Sequence, residues 1–124
     1  METYREIYDV GFDYYHNTIS LVESNRFGEA LTANVAVLSA EYLLSSVLTK
    51  NNIPLYGHGL SEMLKALCFN RIIPPKVRDQ VKILDQGCGC NALIPTADEV
   101  AKLVDALREV KQWTDTQIKV AVSA

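Results

Sequence analysis

Glu41 is the residue whose setting asks most of the chemistry around it. It stands in LSAEYLLSSVL, a run apolar on nearly every side. Steps of seven and four place Asn34, Glu41 and Ser45 on one thin polar stripe of that helix. A carboxylate taken out of water has to be paired, hydrogen-bonded or protonated. It can therefore accept hydrogen bonds from a ligand or a partner helix, or serve the bundle itself by fixing how helices pack. His58 lies between two glycines in LYGHGL, at an expected helix start. Its imidazole titrates ordinarily at about 6.5, which suits either a cap or an acid–base role. Lys65 and Arg78 belong to a stretch richer in cations than the rest of the chain and are candidate phosphate contacts. With Asn34, Glu41, Ser45 and His58 they make up the set of ligand- or partner-binding candidates.

Other constellations carry less. Asp9, Asp13 and His16 fall on one face of a helix, an arrangement open to weak cation binding or simply to water. Cys88 and Cys90 form a single Cys-x-Cys, with Cys68 and His58 as the remaining donors. Structural zinc wants four ligands, typically in two spaced pairs, and the second pair is missing. No metal or cofactor is expected, although the two thiols could oxidise reversibly. The chain has no glycine-rich phosphate loop, no His-Glu-x-x-His and no Gly-x-Ser-x-Gly. No residue is assigned a catalytic role.

These side chains must be positioned by a domain of 124 residues, 48% of them hydrophobic and 22% charged. That is one globular domain, large enough to hold a core without metal or disulfide. The net charge is −3, which excludes a global electrostatic footprint for nucleic acid or anionic membrane. The charges are unevenly spread, with acids dominating residues 1–30 and cations residues 62–82. No secretory start is visible, and polar residues interrupt the apolar stretches before a bilayer-spanning length. A cytoplasmic protein with reduced cysteines is expected.

Helical periodicity dominates the chain. A first helix is expected from about Glu2 to Ser24, its apolar face formed by Tyr4, Tyr8, Phe12, Tyr15, Ile19 and Val22. Arg5, Asp9, Asp13, His16, Ser20 and Glu23 should face water. A second helix, about Phe27 to Lys50, carries an apolar line of Leu31, Val35, Leu38 and Tyr42. Apolar residues also cover most of its remaining surface, which predicts a helix packed on several sides in the middle of a bundle. A short third helix, His58 to Asn70, should turn Leu60, Met63, Leu64, Leu67 and Cys68 inward. Pro75 can open a fourth, ending near Gln86. Thr96 and Glu99 form a capping box for the last helix, which runs to about Gln117 on a stripe of Val100, Leu103, Val104, Leu107 and Val110. Residues 118–124 should fray. The expected architecture is an all-α, mostly antiparallel four- or five-helix bundle.

From Phe27 to Leu67 the chain resembles the HEPN domain (higher eukaryotes and prokaryotes nucleotide-binding domain). The resemblance rests on the alanine-rich central helix with Ala40-Glu41 near its middle, and on the His58-Gly59-Leu60 helix start followed by Met63-Leu64. TADEVAKLVDALREV is similar to that family's last long helix. The resemblance implies a helical bundle that commonly forms homodimers. Some members are metal-independent ribonucleases with an Arg-x4–6-His motif. Others are non-catalytic and pair with a small nucleotidyltransferase, often in toxin–antitoxin modules. Here no arginine lies four to seven residues before His16 or His58, and Leu44 replaces the family's frequent lysine three residues after the central glutamate. The expectation is therefore a non-catalytic, dimeric binding module for a protein partner or a nucleotide-containing ligand. Its rivals are an RNA-processing toxin with a divergent site, using His58 and Glu41, and a structural adaptor. The adaptor's oligomer seam would be the tyrosine-rich first helix, where four of the six tyrosines fall.

Overall fold

A computed structural model describes residues 3–24, 28–54, 59–86 and 96–120. They form five α-helices, α1 (Tyr4–Ser24), α2 (Glu29–Lys50), α3 (Leu60–Phe69), α4 (Pro75–Gln86) and α5 (Ala97–Val120), and the described residues contain no strand.

Short local signals set the helix ends. At the start of α5 the Thr96 N–H donates to Glu99 Oε1 at 2.9 Å and the Glu99 N–H donates to Thr96 Oγ1 at 3.2 Å. This is the reciprocal box read from the sequence. A second Thr-x-x-Glu opens α1, where the Glu6 N–H donates to Thr3 Oγ1 at 3.2 Å. Two helices end in the same way. Asn52 and Arg71 adopt left-handed backbone, φ 58° and 56°. The next residue then reaches back five positions: the Ile53 N–H donates to the Leu48 carbonyl and the Ile72 N–H to the Leu67 carbonyl. Both are Schellman closures, and in each the apolar residue after the turn packs against the core.

α2 is the hub. Ala36, Ala40, Leu43, Leu44, Val47 and Leu48 are wholly buried, and the helix touches each of the other four. α1 runs antiparallel to it, with Gly11 against Leu43 and the Tyr14 ring stacked on Tyr42 at 5.6 Å. α5 runs parallel to α2, since Lys50 donates to the Gln117 carbonyl at one end while Glu29 and Thr32 share a cavity with Ala97 and Val100 at the other. Leu60, Met63, Leu64 and Leu67 of α3, Val77, Val81 and Leu84 of α4, and Leu103, Leu107 and Val110 of α5 complete the core.

Several expectations are corrected here. The periodicity puts Leu31, Val35, Leu38 and Tyr42 on one apolar line of a helix expected to be packed on several sides, yet Leu31 is 43% exposed, Leu38 39% and Tyr42 36%. α2 buries its other faces, among them Ala33, Ala36, Ala40, Leu43, Leu44 and Val47, because its four neighbours surround only part of its circumference. α1 buries Gly11 and Thr18 at its seam rather than its largest residues. Small side chains there let the two backbones approach. Cys68 is exposed, because the buried positions of α3 are Leu60, Met63, Leu64 and Leu67, one position off Cys68. Ile118, placed in a fraying tail, is buried within α5. Finally, by length and composition alone α2 could cross a membrane, with a mean hydropathy of 1.4 over its most apolar window. The apolar run is thus longer than expected from its polar interruptions. Burial of 61% of that window by the other helices accounts for the hydropathy as that of a core helix.

Candidate protein-interaction face

The sequence candidates separate into groups. Asn34, Glu41 and Ser45 share one edge of α2, as their spacing requires. Asn34 is exposed there, and Glu41 and Ser45 are half-buried. Lys65 sits on the exposed side of α3 and Arg78 on the flank of α4. The Arg78 guanidinium lies 3.8 Å from the Asp79 carboxylate, too far for a hydrogen bond, so its Nε has a nearby charge but no acceptor. His58, Cys88 and Cys90 lie outside the described residues. Among the described residues no three or more His, Cys, Asp or Glu side chains cluster as a metal site would need.

What the polar stripe borders is more informative than the stripe itself. Leu31, Val35, Leu38 and Tyr42 run beside it on α2, and across the helix seam Val10 (37% exposed) and Tyr14 continue the surface on α1. The Tyr14–Tyr42 stack joins the two halves. Glu6 and Asp13, four residues before and three after Val10, flank it on the outer edge of α1, and both are exposed. This is an apolar strip with an acidic margin, and its polar α2 edge is the Asn34, Glu41, Ser45 line.

The opposite flank of α1 is satisfied internally. Tyr8 donates its hydroxyl to the Asp115 carboxylate, whose other oxygen takes Lys111 at 2.8 Å. The Lys111 ammonium lies 5.1 Å from the Phe12 ring centre and 5.4 Å from that of Tyr15. The His16 ring meets Phe12 edge-on at 4.5 Å. Burial, then the hydrogen bond to Asp115, then that carboxylate's charge raise the Tyr8 phenol above its ordinary value. These groups use their donors, acceptors and ring faces on one another, so the cluster clamps α1 to α5. Sequence reading missed it because Tyr8 and Asp115 stand 107 residues apart.

Beyond this clamp a cavity of about 330 Å³ lies between α1 and α5 over the first turn of α2. Leu21 and Val22 form one wall, and Ala97, Ala101 and Val104 the other. Its volume is at the lower end for small-ligand pockets. None of the described site candidates lines it. No family model, curated protein or solved structure matches the chain.

Proposed function

We propose that the protein is a non-catalytic, HEPN-like helical module that works by docking a protein partner on its α1–α2 face. The observation that carries this reading is the strip of Val10, Leu31, Leu38 and Tyr42, four exposed large apolar residues brought together on neighbouring helices, whereas the other three among the described residues, Val22, Phe69 and Ile83, stand singly on α1, α3 and α4. Burying such a strip removes apolar surface from water at about 25 cal/mol per Å². The two tyrosines add rigid area with polar tips. The HEPN likeness rests on the alanine-rich central helix with its Ala40-Glu41 pair, the His58-Gly59-Leu60 helix start followed by Met63-Leu64, and the last long helix. It suggests two kinds of occupant, a second copy of the chain in a homodimer and a small nucleotidyltransferase of a toxin–antitoxin pair.

A nucleotide or RNA ligand draws less support, because its candidate phosphate contacts, Lys65 and Arg78, sit on α3 and α4 rather than beside the strip. A divergent ribonuclease would have to work with Glu41 and His58, and His58 lies outside the described residues.

The test is to compare the wild type with a Leu38→Ser/Tyr42→Ser variant for oligomeric mass by light scattering and for proteins recovered from host lysate. Loss of the complex from a variant with unchanged circular dichroism supports the reading. Equal recovery of the same complex from both proteins would sink it.

A further inference from the structure

We propose that the occupant of the α1–α2 face is a cationic amphipathic helix from a different protein, not a second copy of this chain. The inference rests on the docking role proposed above and names the partner that the face fits. Its basis is charge. From Glu6 to Thr49 the sequence carries Glu6, Asp9, Asp13, Glu23, Glu29 and Glu41 against one cation, Arg26, outside the described residues. The nearest flanking cations are engaged elsewhere: Arg5 lies over the Tyr4 ring and Lys50 bonds the Gln117 carbonyl. The apolar strip is therefore bordered by the carboxylates of Glu6 and Asp13, with no described lysine or arginine on α1 or α2 turned to meet them.

A two-fold pairing of this face with itself would bring together two copies of the same net-acidic face, each bordered by Glu6 and Asp13 with no lysine to answer them, since an isologous interface repeats the same patch on both sides. Like-charge juxtaposition selects against that arrangement. The chain's own cationic helix does not solve the problem. Lys76, Arg78 and Lys82 ride on α4, whose apolar residues Val77, Val81 and Leu84 are already buried in the core. It has cations to offer but no free apolar stripe. The surface calls for both on one element: apolar residues at i, i+3, i+4 and i+7 to cover Leu31, Leu38, Tyr42 and Val10, with lysine or arginine alongside. Helix-in-groove recognition has that pattern.

The experiment uses two designed peptide probes of about 18 residues, long enough for five helical turns. One carries leucines at the core spacing with lysines elsewhere, and its twin replaces every lysine by glutamate. Binding is read by fluorescence anisotropy against the full chain, alongside its mass by light scattering. The expected result is saturable binding of the lysine probe, about tenfold or more tighter than its twin. It should weaken with added salt and with Asp13→Asn, and be lost in Leu38→Ser/Tyr42→Ser, which keeps every charge. Equal binding of both probes would overturn the cationic occupant and leave the docking face standing. So would a wild-type dimer that binds neither probe and becomes monomeric in Leu38→Ser/Tyr42→Ser. A monomer that binds neither probe would remove both the occupant and the docking role.

Discussion

The Ser39 hydroxyl donates to the Gly11 carbonyl at 2.8 Å, tying the middle of α2 to the middle of α1 where both are buried. The bond exists because Gly11 has no side chain. A Cβ at that position would meet the Leu43 backbone nitrogen and Cγ at 3.0 Å. Gly11→Ala should therefore destabilise the fold by about 1–2 kcal/mol, the overpacking cost outweighing the alanine's better helix propensity. Urea denaturation measures it. A variant as stable as wild type would mean that α1 shifts freely on α2 and that the seam is not tightly packed.

Thr114 offers the opposite opportunity. Its hydroxyl is fully buried in α5 and has no hydrogen-bond partner. Replacing an unpaired buried hydroxyl by a methyl of similar shape removes a desolvation cost. Thr114→Val is expected to raise stability by about 1 kcal/mol, seen as a higher thermal midpoint. A clear loss of stability would show that the hydroxyl is bonded in solution.

Arg71 closes α3 in left-handed backbone, a conformation that costs a side-chain-bearing residue about 1 kcal/mol. Arg71→Gly should relieve that strain and stabilise the bundle by about 0.5–1 kcal/mol, less the entropy glycine gains in the unfolded chain. The Ile72-to-Leu67 bond stays available, so hydrogen exchange at the Ile72 amide should remain slow.

Tyr8 gives the fold a dependence on alkaline pH. Its pKa is raised in the folded protein, so the protonated phenol is favoured there relative to the unfolded chain. The contribution is complete below the unfolded value of 10.0 and is lost as pH rises above it. Stability should fall above pH 10 more steeply in the wild type than in Tyr8→Phe, which has no phenol to ionise. Parallel pH profiles for the two proteins would contradict the clamp.

Glu99 acts at the other end of the scale. The Thr96 backbone N–H and then its hydroxyl hold the Glu99 carboxyl below the usual value of 4.5. Its contribution is present above that pH and disappears as pH falls through the lower folded value. Glu99→Gln should show a shallower acid transition in α5 helicity by circular dichroism between about pH 5 and 3.

The sequence was most legible where the physics is local. The Thr96–Glu99 box, Pro75 at the opening of α4 and the wet face of α1 from Arg5 to Glu23 all depend on neighbours within one or two turns, and all stand in the structure. Burial on α2 was less legible. A helix apolar all round states that neighbours are needed but not where they stop, so nothing in the line of Leu31, Leu38 and Tyr42 tells that it faces out. Gly11 and Thr18 went unnoticed as seam residues because backbone approach selects for small size rather than for hydrophobicity. The Tyr8–Asp115 bond has no sequence signature, since only the finished fold brings those helices together. Of the six site candidates, the α2 trio Asn34, Glu41 and Ser45 does share one edge. Lys65 and Arg78 sit on other helices, and His58 falls outside the described residues.

The clamp between Tyr8 and Asp115 has a topological consequence. It places the opening turns of α1 beside the closing turns of α5, so the two ends of the described fold emerge side by side. A short linker could join residues near Thr3 to those near Lys119, and the chain could be reopened in the turn between α3 and α4, around Asn70 to Pro74. Such a circular permutant would keep all five helices, because neighbouring ends are the usual condition for permutation, and would give up only the closure of α3 through Ile72. The backbone is close to a ring whose point of opening is a matter of genetic order, and α2 would hold its four neighbours wherever that opening falls.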